Sequence, residues 1–426
     1  MLYDYLTSHL NISQEVAIFM ERIENSLAAE FKKADQIAEY NQAKVLAAMQ
    51  ACRLSDTHFN DSTGYGYNDE GREALEEIFA KIFKAEAALV RPQLISGTHA
   101  LAAALFGNLR PGDTLLSPVG SPYDTLESVI GIRPTSGSLK EYGVNYAQVE
   151  LTADGNFDLP AIKAALQTQP KMVTIQRSKG YSWRRSFTVA EIKSLIQCIR
   201  TESPRTIIMV DNCYGEFVET SEPIEAGADI IAGSFIKNPG GGIVPGGGYV
   251  AGRAELVERA AERLTAPGLG SAVGPSLGMT RTLTQGIFLA PQTVSSCIKG
   301  AVLAAETFNR LGFDVLPSAT ATRTDIVQAV KLGQPQHVLA FCHGIQKAAP
   351  VDSYVKPEAA PMPGYGDGVV MAGGTFIQGS SIELSADAPM RPPYIVYFQG
   401  GLTAAHSKAG VVFALDELVK AGLVSL

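Results

Sequence analysis

Between Arg72 and Gly252, short unbroken apolar runs alternate with helical stretches, and this alternation constrains the fold more than any other feature. The runs are AALV (87–90), TLLSP (114–118), KMVTIQ (171–176), RTIIMVD (205–211), DIIAGSF (229–235) and GYVAG (248–252). A strand with one wet face alternates polar and apolar residues, so continuous runs predict strands buried on both faces. Helices are predicted at 73–84, after Ser96, at 160–167 and at 188–200; the last opens with Thr188 and Glu191 at capping-box spacing. Strands and helices in turn imply an α/β fold with a large, mainly parallel sheet. Upstream, residues 13–50 carry helical apolar spacing (Val16, Phe19, Met20, Ile23, Leu27, Phe31) and lead into the loop DSTGYGYNDEGRE, 61–73. Downstream, TAPGLGSAVGPSLG (265–278) reads as a connector, followed by a long helical stretch to about Leu311 and a mixed α+β tail, 326–426. The expected organisation is an N-terminal helical arm and loop (1–70), a large domain (71–264), and a smaller C-terminal domain with its connecting helix (279–426).

Composition narrows the function classes. At 46% hydrophobic and 18% charged residues, the chain can bury a large core and is not disordered. Its 35 basic against 43 acidic side chains, with no basic run, argue against nucleic acid or an anionic membrane surface as the partner. The N-terminus has no basic start and apolar block of a signal peptide. Gly, Pro and Gln interrupt the longest uncharged stretches, so no membrane span is expected. Five scattered cysteines read as reduced thiols in a cytoplasmic protein, and six unpaired histidines give no metal site.

The most informative segment is VDNCYGEFVE…DIIAGSFIKNPGGG. Asp211 ends one apolar strand and Lys237 follows another, and strand C-termini are where α/β sheets bind ligands. Phe235, Ile236, Pro239 and glycines surround the lysine, so burial is expected to lower its pKa and make it nucleophilic. An acid and a lysine on neighbouring strand ends suit pyridoxal phosphate: the lysine forms the Schiff base and the carboxylate keeps the pyridinium protonated. Ser96-Gly97-Thr98 precedes a helix rich in Ala and Leu, which reads either as an anion cradle or as an ordinary N-cap. Ser234 offers a further hydroxyl to the phosphate, and Tyr123 in SPVGSPYDT stands where an aromatic would stack on a planar cofactor or simply pack.

Taken in order, SGTHA, GSPYDT, VDNCYGEF and GSFIKNPGG resemble fold-type-I pyridoxal-phosphate enzymes of the cystathionine/methionine γ-lyase group. The chain is most similar to the branch described as aluminium-resistance or methionine γ-lyase-like proteins, and the likeness extends to GYGYNDEGR, QRSKGYSWR and GGTFIQGSSIELSADAPMRPPY. The resemblance implies a carbon–sulfur lyase acting on a sulfur amino acid by β- or γ-elimination. It implies Lys237 as the Schiff-base lysine, Asp211 as pyridine partner and Tyr123 as stacking aromatic. Ser96, Gly97, Thr98 and Ser234 would hold the phosphate, and Arg391 the substrate carboxylate. Tyr65 or Tyr67 would reach a neighbouring subunit's cofactor phosphate, in a homodimer or homotetramer whose interface the helical arm braces. The Asn-Pro-Gly-Gly-Gly after the lysine departs from the best-known γ-lyases.

Other residues compete for these roles. Lys179 also follows an apolar strand, but Arg177, Arg184 and Arg185 make its loop polar and cationic, so Lys237 is preferred. Gly246-x-Gly248-x-x-Ala251 precedes a strand rather than opening a helix, which fails the dinucleotide context. His58 and His99 read as structural, and Cys213 and Cys342 as core thiols. An aminotransferase or decarboxylase on the same cofactor, or a non-catalytic stress protein on the same scaffold, are the alternatives to a lyase.

Overall fold

The computed structural model describes residues 1–362 and 365–426. Its main sheet contains β1 (Ala87–Arg91), β2 (Thr114–Ser117), β3 (Asn145–Gln148), β4 (Met172–Gln176), β5 (Ile207–Asp211), β6 (Ile230–Ser234) and β7 (Gly248–Gly252). The order is β1-β7-β6-β5-β4-β2-β3, and only β7 runs against its neighbours. Every residue of β5, β6 and β7 is buried, as unbroken apolar runs require. The strand β3, NYAQ, lies at the sheet edge with a largely exposed surface; its polarity hides it from an apolar-run search.

Alternation along the strands decides which face each side chain serves. Ile207, Met209, Ile230 and Ala232 pack with the helices Gly97–Asn108 and Ala254–Leu264. Ile208, Val210, Ile231 and Tyr249 join the other core, which contains Phe79 and Phe83 of the helix Glu70–Phe83. Asp211 continues the first series on β5 and Ser234 on β6. Both therefore stand at the C-terminal edge on the side of helix Gly97–Asn108.

The helix predicted at 188–200 spans Val189–Glu202, and its capping box is formed by Thr188 and Glu191. The connector 265–278 holds only one 3-10 turn, Gly270–Ala272. The following helix, Thr280–Arg310, is continuous across Gly286 and Pro291, although those residues were expected to interrupt the apolar stretch. It is long and apolar enough to cross a bilayer, yet most of it is buried inside the protein as a core helix. A second sheet is wholly antiparallel, in the order β10-β11-β12-β9-β8, from β8 (Asp314–Leu316), β9 (Gln328–Lys331), β10 (Val369–Ala372), β11 (Ser385–Pro389) and β12 (Ile395–Gln399). The architecture is thus mixed α/β: a large mainly parallel sheet and a smaller antiparallel one.

The N-terminal arm is the helices Leu2–His9, Gln14–Ser26 and Ala28–Ala51. It packs on its own chain: Val16, Met20 and Ile23 are buried, the Ser13 amide donates to Asp416, and Lys408 pairs with Glu24. The arm therefore has an intrachain role that its sequence spacing did not reveal.

Candidate active site

Register places Gln176 beside Asp211, and Asp211 beside Ala232, along the C-terminal edge of β4, β5 and β6. A cavity of about 620 Å³ opens there, lined by Ser96, Gly97, Thr98, Tyr123, Asp211, Ser234 and Lys237. Seven residues chosen from four separate segments thus converge on one space. The antiparallel-sheet domain closes it with residues including Tyr365, Ser380, Ser385, Asp387 and Gln399.

One end of the cavity suits an anion. Ser96 caps helix Gly97–Asn108, its hydroxyl accepting from the His99 amide at 3.1 Å, so the helix N-terminus points at the cavity with its first amides unpaired within the helix. The Thr98 hydroxyl is held by Thr125 at 2.8 Å. A Cβ on Gly97 would stand 3.2 Å from Ser234 Cβ and 3.3 Å from Cys213 Sγ, so a larger residue would crowd the cradle.

Lys237 Nζ lies over the Tyr214 ring, 4.0 Å from its centroid. Burial works against the ammonium, but the acidic groups round it (Cys213, Tyr214, Asp211 and Glu216) outweigh burial and hold its pKa above the ordinary range. This corrects the expectation from sequence that burial would lower it: the apolar neighbours and Asp211 were legible, while Cys213, Tyr214 and Glu216 were not read as its neighbours. Burial raises the Asp211 carboxyl, opposed by Lys237 and by the Cys213 amide, which donates to it at 3.1 Å. Burial likewise pushes the Cys213 thiol well up, with Asp211 adding to the shift, so this cavity-lining thiol is unreactive.

Tyr123 Oη and Tyr365 Oη are 2.6 Å apart, and Tyr181 packs between these rings and Tyr397. Burial raises Tyr123 and Tyr181 well above the ordinary phenol range, so both stay neutral donors. Asp387 faces the same cavity, accepts from Gln399 at 3.1 Å, and is pushed up to about 6 by burial. Tyr181, Tyr214, Tyr365, Asp387 and Gln399 escaped sequence reasoning. Tyr181 and Tyr214 lay inside quoted segments and Asp387 in SADAP, but no spacing rule singles them out.

Other candidates stand elsewhere. Lys179 is 1% exposed, pairs with Asp325 at 3.6 Å and donates to the Val327 carbonyl. Its segment is not the solvated cationic loop expected. Arg177 is fully buried and bonds Asn212, Gly215 and Glu219, while Lys179 is engaged by its ion pair with Asp325. Arg391 is half-exposed, bonded to Asp367 at 2.7 Å, and is not among the lining residues. Tyr65 and Tyr67 also lie outside the cavity; they stack on each other, exposed, 5.5 Å between centroids. Their loop is tied down from below, where Arg72 donates to the Gly66 and Gly274 carbonyls. His58 sits in the capping box of a short 3-10 turn, His99 Nδ1 accepts from the Ile95 amide, and Cys342 is a core thiol, all structural as expected.

Comparison with known proteins supplies the context. A Bacillus subtilis (strain 168) protein, "Uncharacterized protein YnbB", is 48% identical over 425 residues, covering 99% of this chain and all of its own. A crystal structure from Clostridium acetobutylicum, named as a candidate cystathionine beta-lyase involved in aluminum resistance, shares 50% identity at a TM-score of 0.94, covering 97% of this chain and 98% of its own. One from Clostridium novyi NT, named a carbon-sulfur lyase involved in aluminum resistance, shares 48% at 0.93 with the same coverage. Residues 16–419 match the family described as Methionine gamma-lyase. This chain belongs to the methionine gamma-lyase family.

Proposed function

We propose that the cavity holds pyridoxal 5′-phosphate and that the chain is a carbon–sulfur lyase, releasing a thiol from a sulfur amino acid by β- or γ-elimination. The observation that carries this reading is one cavity shared by Lys237, Asp211 and an anion cradle at a helix N-terminus. The family match and the lyase names of the two Clostridium proteins support it.

The residues fit the cofactor. Ser96, Gly97, Thr98 and Ser234 would hold the phosphate, Asp211 the protonated ring nitrogen, and Tyr123 one face of the ring. Lys237 would attach the cofactor through its amine. When bound, the cofactor supplies an electron sink for negative charge at the substrate Cα. The chain's own part is proton handling and orientation. Lys237, once its amine is free, would take the Cα proton as general base. Tyr123, a neutral phenol bonded to Tyr365, is a donor to the departing sulfur. Arg391 would bind the substrate carboxylate after exchanging Asp367, and a half-exposed pair of that kind is worth only about 1 kcal/mol or less. Tyr65 and Tyr67, stacked and facing outward on an anchored loop, would complete a neighbouring subunit's phosphate site in a homodimer or homotetramer. Five free cysteines accord with a cytoplasmic setting.

The test is to supply cystathionine, methionine and cystine to the cofactor-loaded protein and measure ammonia, keto acid and free thiol. A lyase releases all three without an acceptor. Strict dependence on an added keto acid would instead identify an aminotransferase, and no turnover of any amino acid would favour a non-catalytic role.

A further inference from the structure

A second cavity, of about 170 Å³, shares no lining residue with the one proposed for catalysis. Its walls are mostly apolar: Ala34 and Ile37 of helix Ala28–Ala51, Val294 and Ile298 of helix Thr280–Arg310, and Phe217; Glu30, Lys33 and Glu219 also line it, Glu30 paired with Lys33 and Glu219 with Arg177. Arg323 also lines it, at 8% exposure. Its Nη1 donates to Gln328 at 2.7 Å, while Nη2 reaches the Ala301 and Ser318 carbonyls only at 3.5 Å. Its Nε is buried without a partner, and among the described residues no carboxylate lies within ion-pair distance of the guanidinium. The two nearest acidic groups are otherwise engaged: Asp325 by Lys179, Ser178 and Ser186, and Glu30 by Lys33. Burial pushes Arg323 down to about 10, with Asp325 and Glu30 opposing, which leaves it charged at neutral pH.

A buried cation without a direct ion-pair partner is costly, and a polar group set in a mostly apolar pocket fixes the orientation of a ligand. We propose that this cavity is a separate binding site for a small monocarboxylate with an apolar body, its carboxylate on Arg323 and its hydrocarbon between Ala34, Ile37, Val294 and Ile298. A dry cavity of about 150 Å³ accepts benzene, so the ligand has roughly seven to nine heavy atoms. The proposal is independent of the lyase reading.

Calorimetry on the cofactor-loaded protein compares isovalerate and benzoate with their neutral amides, isovaleramide and benzamide. The acids are expected to bind at least tenfold more tightly than the amides. Arg323→Gln should remove that preference, and Ala34→Phe, which fills the cavity, should abolish binding of both. Circular dichroism and the cofactor's absorbance check that each variant is folded, and Val294→Phe fills the cavity from the opposite wall if Ala34→Phe is not. Equal binding of acid and amide, or no binding of either, overturns the proposal. So does binding that survives the filled cavity, because the carboxylate is then held in the 620 Å³ cavity instead.

Discussion

Replacing Asp325 by Asn would strip Lys179 of its counter-charge while leaving the space filled. The two side chains are almost wholly buried, and the Asp325 carboxylate also accepts from the Ser178 and Ser186 hydroxyls and the Val327 amide. Removing one member of a buried pair costs about 3–5 kcal/mol because the other charge is stranded. Asn keeps one acceptor oxygen, so the low end, about 3 kcal/mol, is expected in urea denaturation. Lys179→Met combined with Asp325→Asn removes the stranded charge and should recover most of the loss. Dependence on pH gives an independent sign. Burial already lowers Lys179 below its ordinary 10.5, and Asp325 is the chief group opposing it. In Asp325→Asn the folded-state pKa falls further, so between that value and 10.5 the unfolded chain binds more protons than the folded one. Stability of the variant therefore rises with pH across this window, and its deficit narrows. The segment carries Gln176, Ser178, Gly180 and Tyr181 into the cavity, so the Michaelis constant should rise as well. A single variant as stable as the parent, or a deficit indifferent to pH, refutes the reasoning.

In the cofactor-loaded protein, borohydride should fix the cofactor to the chain, and Lys237→Ala should lose that attachment while Lys179→Met keeps it; fixation persisting in Lys237→Ala, read by mass spectrometry, assigns the lysine wrongly. Glu216 is fully buried and burial raises it to about 8, the Tyr249 hydroxyl opposing at 2.7 Å. The folded state then holds a proton that the unfolded chain gives up from about 4.5, so stability should fall as pH rises from 4.5 through 8, and Glu216→Gln should flatten that fall. Mixing inactive Lys237→Ala with an inactive Tyr65→Phe/Tyr67→Phe double variant should restore activity, since some mixed dimers then carry one intact site; free subunit exchange with no recovery places each site within a single chain.

How much was legible follows from what each element announces. The strand runs at 171–176, 205–211 and 229–235 were readable because both-face burial leaves no polar interruption, and the residues ending them were then fixed by strand geometry. Asp211, Ser234 and Lys237 were singled out for that reason, and Ser96–Thr98 because an Ala- and Leu-rich helix follows it; all of them line one cavity. The strand β3 was missed, being short and polar. The tyrosine cluster was missed for a different reason: Tyr123, Tyr181 and Tyr365 lie far apart in the chain and meet only through the packing of two sheets. The charge state of Lys237 failed in the same way, since Cys213, Tyr214 and Glu216 act on it through space rather than through sequence spacing.

The departure after the lysine, Asn-Pro-Gly-Gly-Gly, acquires a physical reason from these contacts. Tyr214 has φ 71, a left-handed backbone that costs a residue of its kind about 1–3 kcal/mol unless its surroundings enforce it. Asn238, fully buried, supplies the enforcement: its Nδ2 donates to the Tyr214 carbonyl at 3.0 Å and the Glu216 carbonyl at 2.9 Å. Two such bonds contribute about 1 kcal/mol each, which is the right order to hold the turn. Pro239 then opens the 3-10 turn Asn238–Gly240, and bare glycine backbone lets helix Thr280–Arg310 press against it. A Cβ on Gly240 would meet the Phe235 carbonyl oxygen at 1.8 Å, and one on Gly286 the Gly240 oxygen at 2.6 Å. Lys237 is thus gripped on one side by its strand and on the other by a turn wedged against the long helix. The same Asn238 that fixes this turn also fixes the backbone of the tyrosine beneath the lysine's amine.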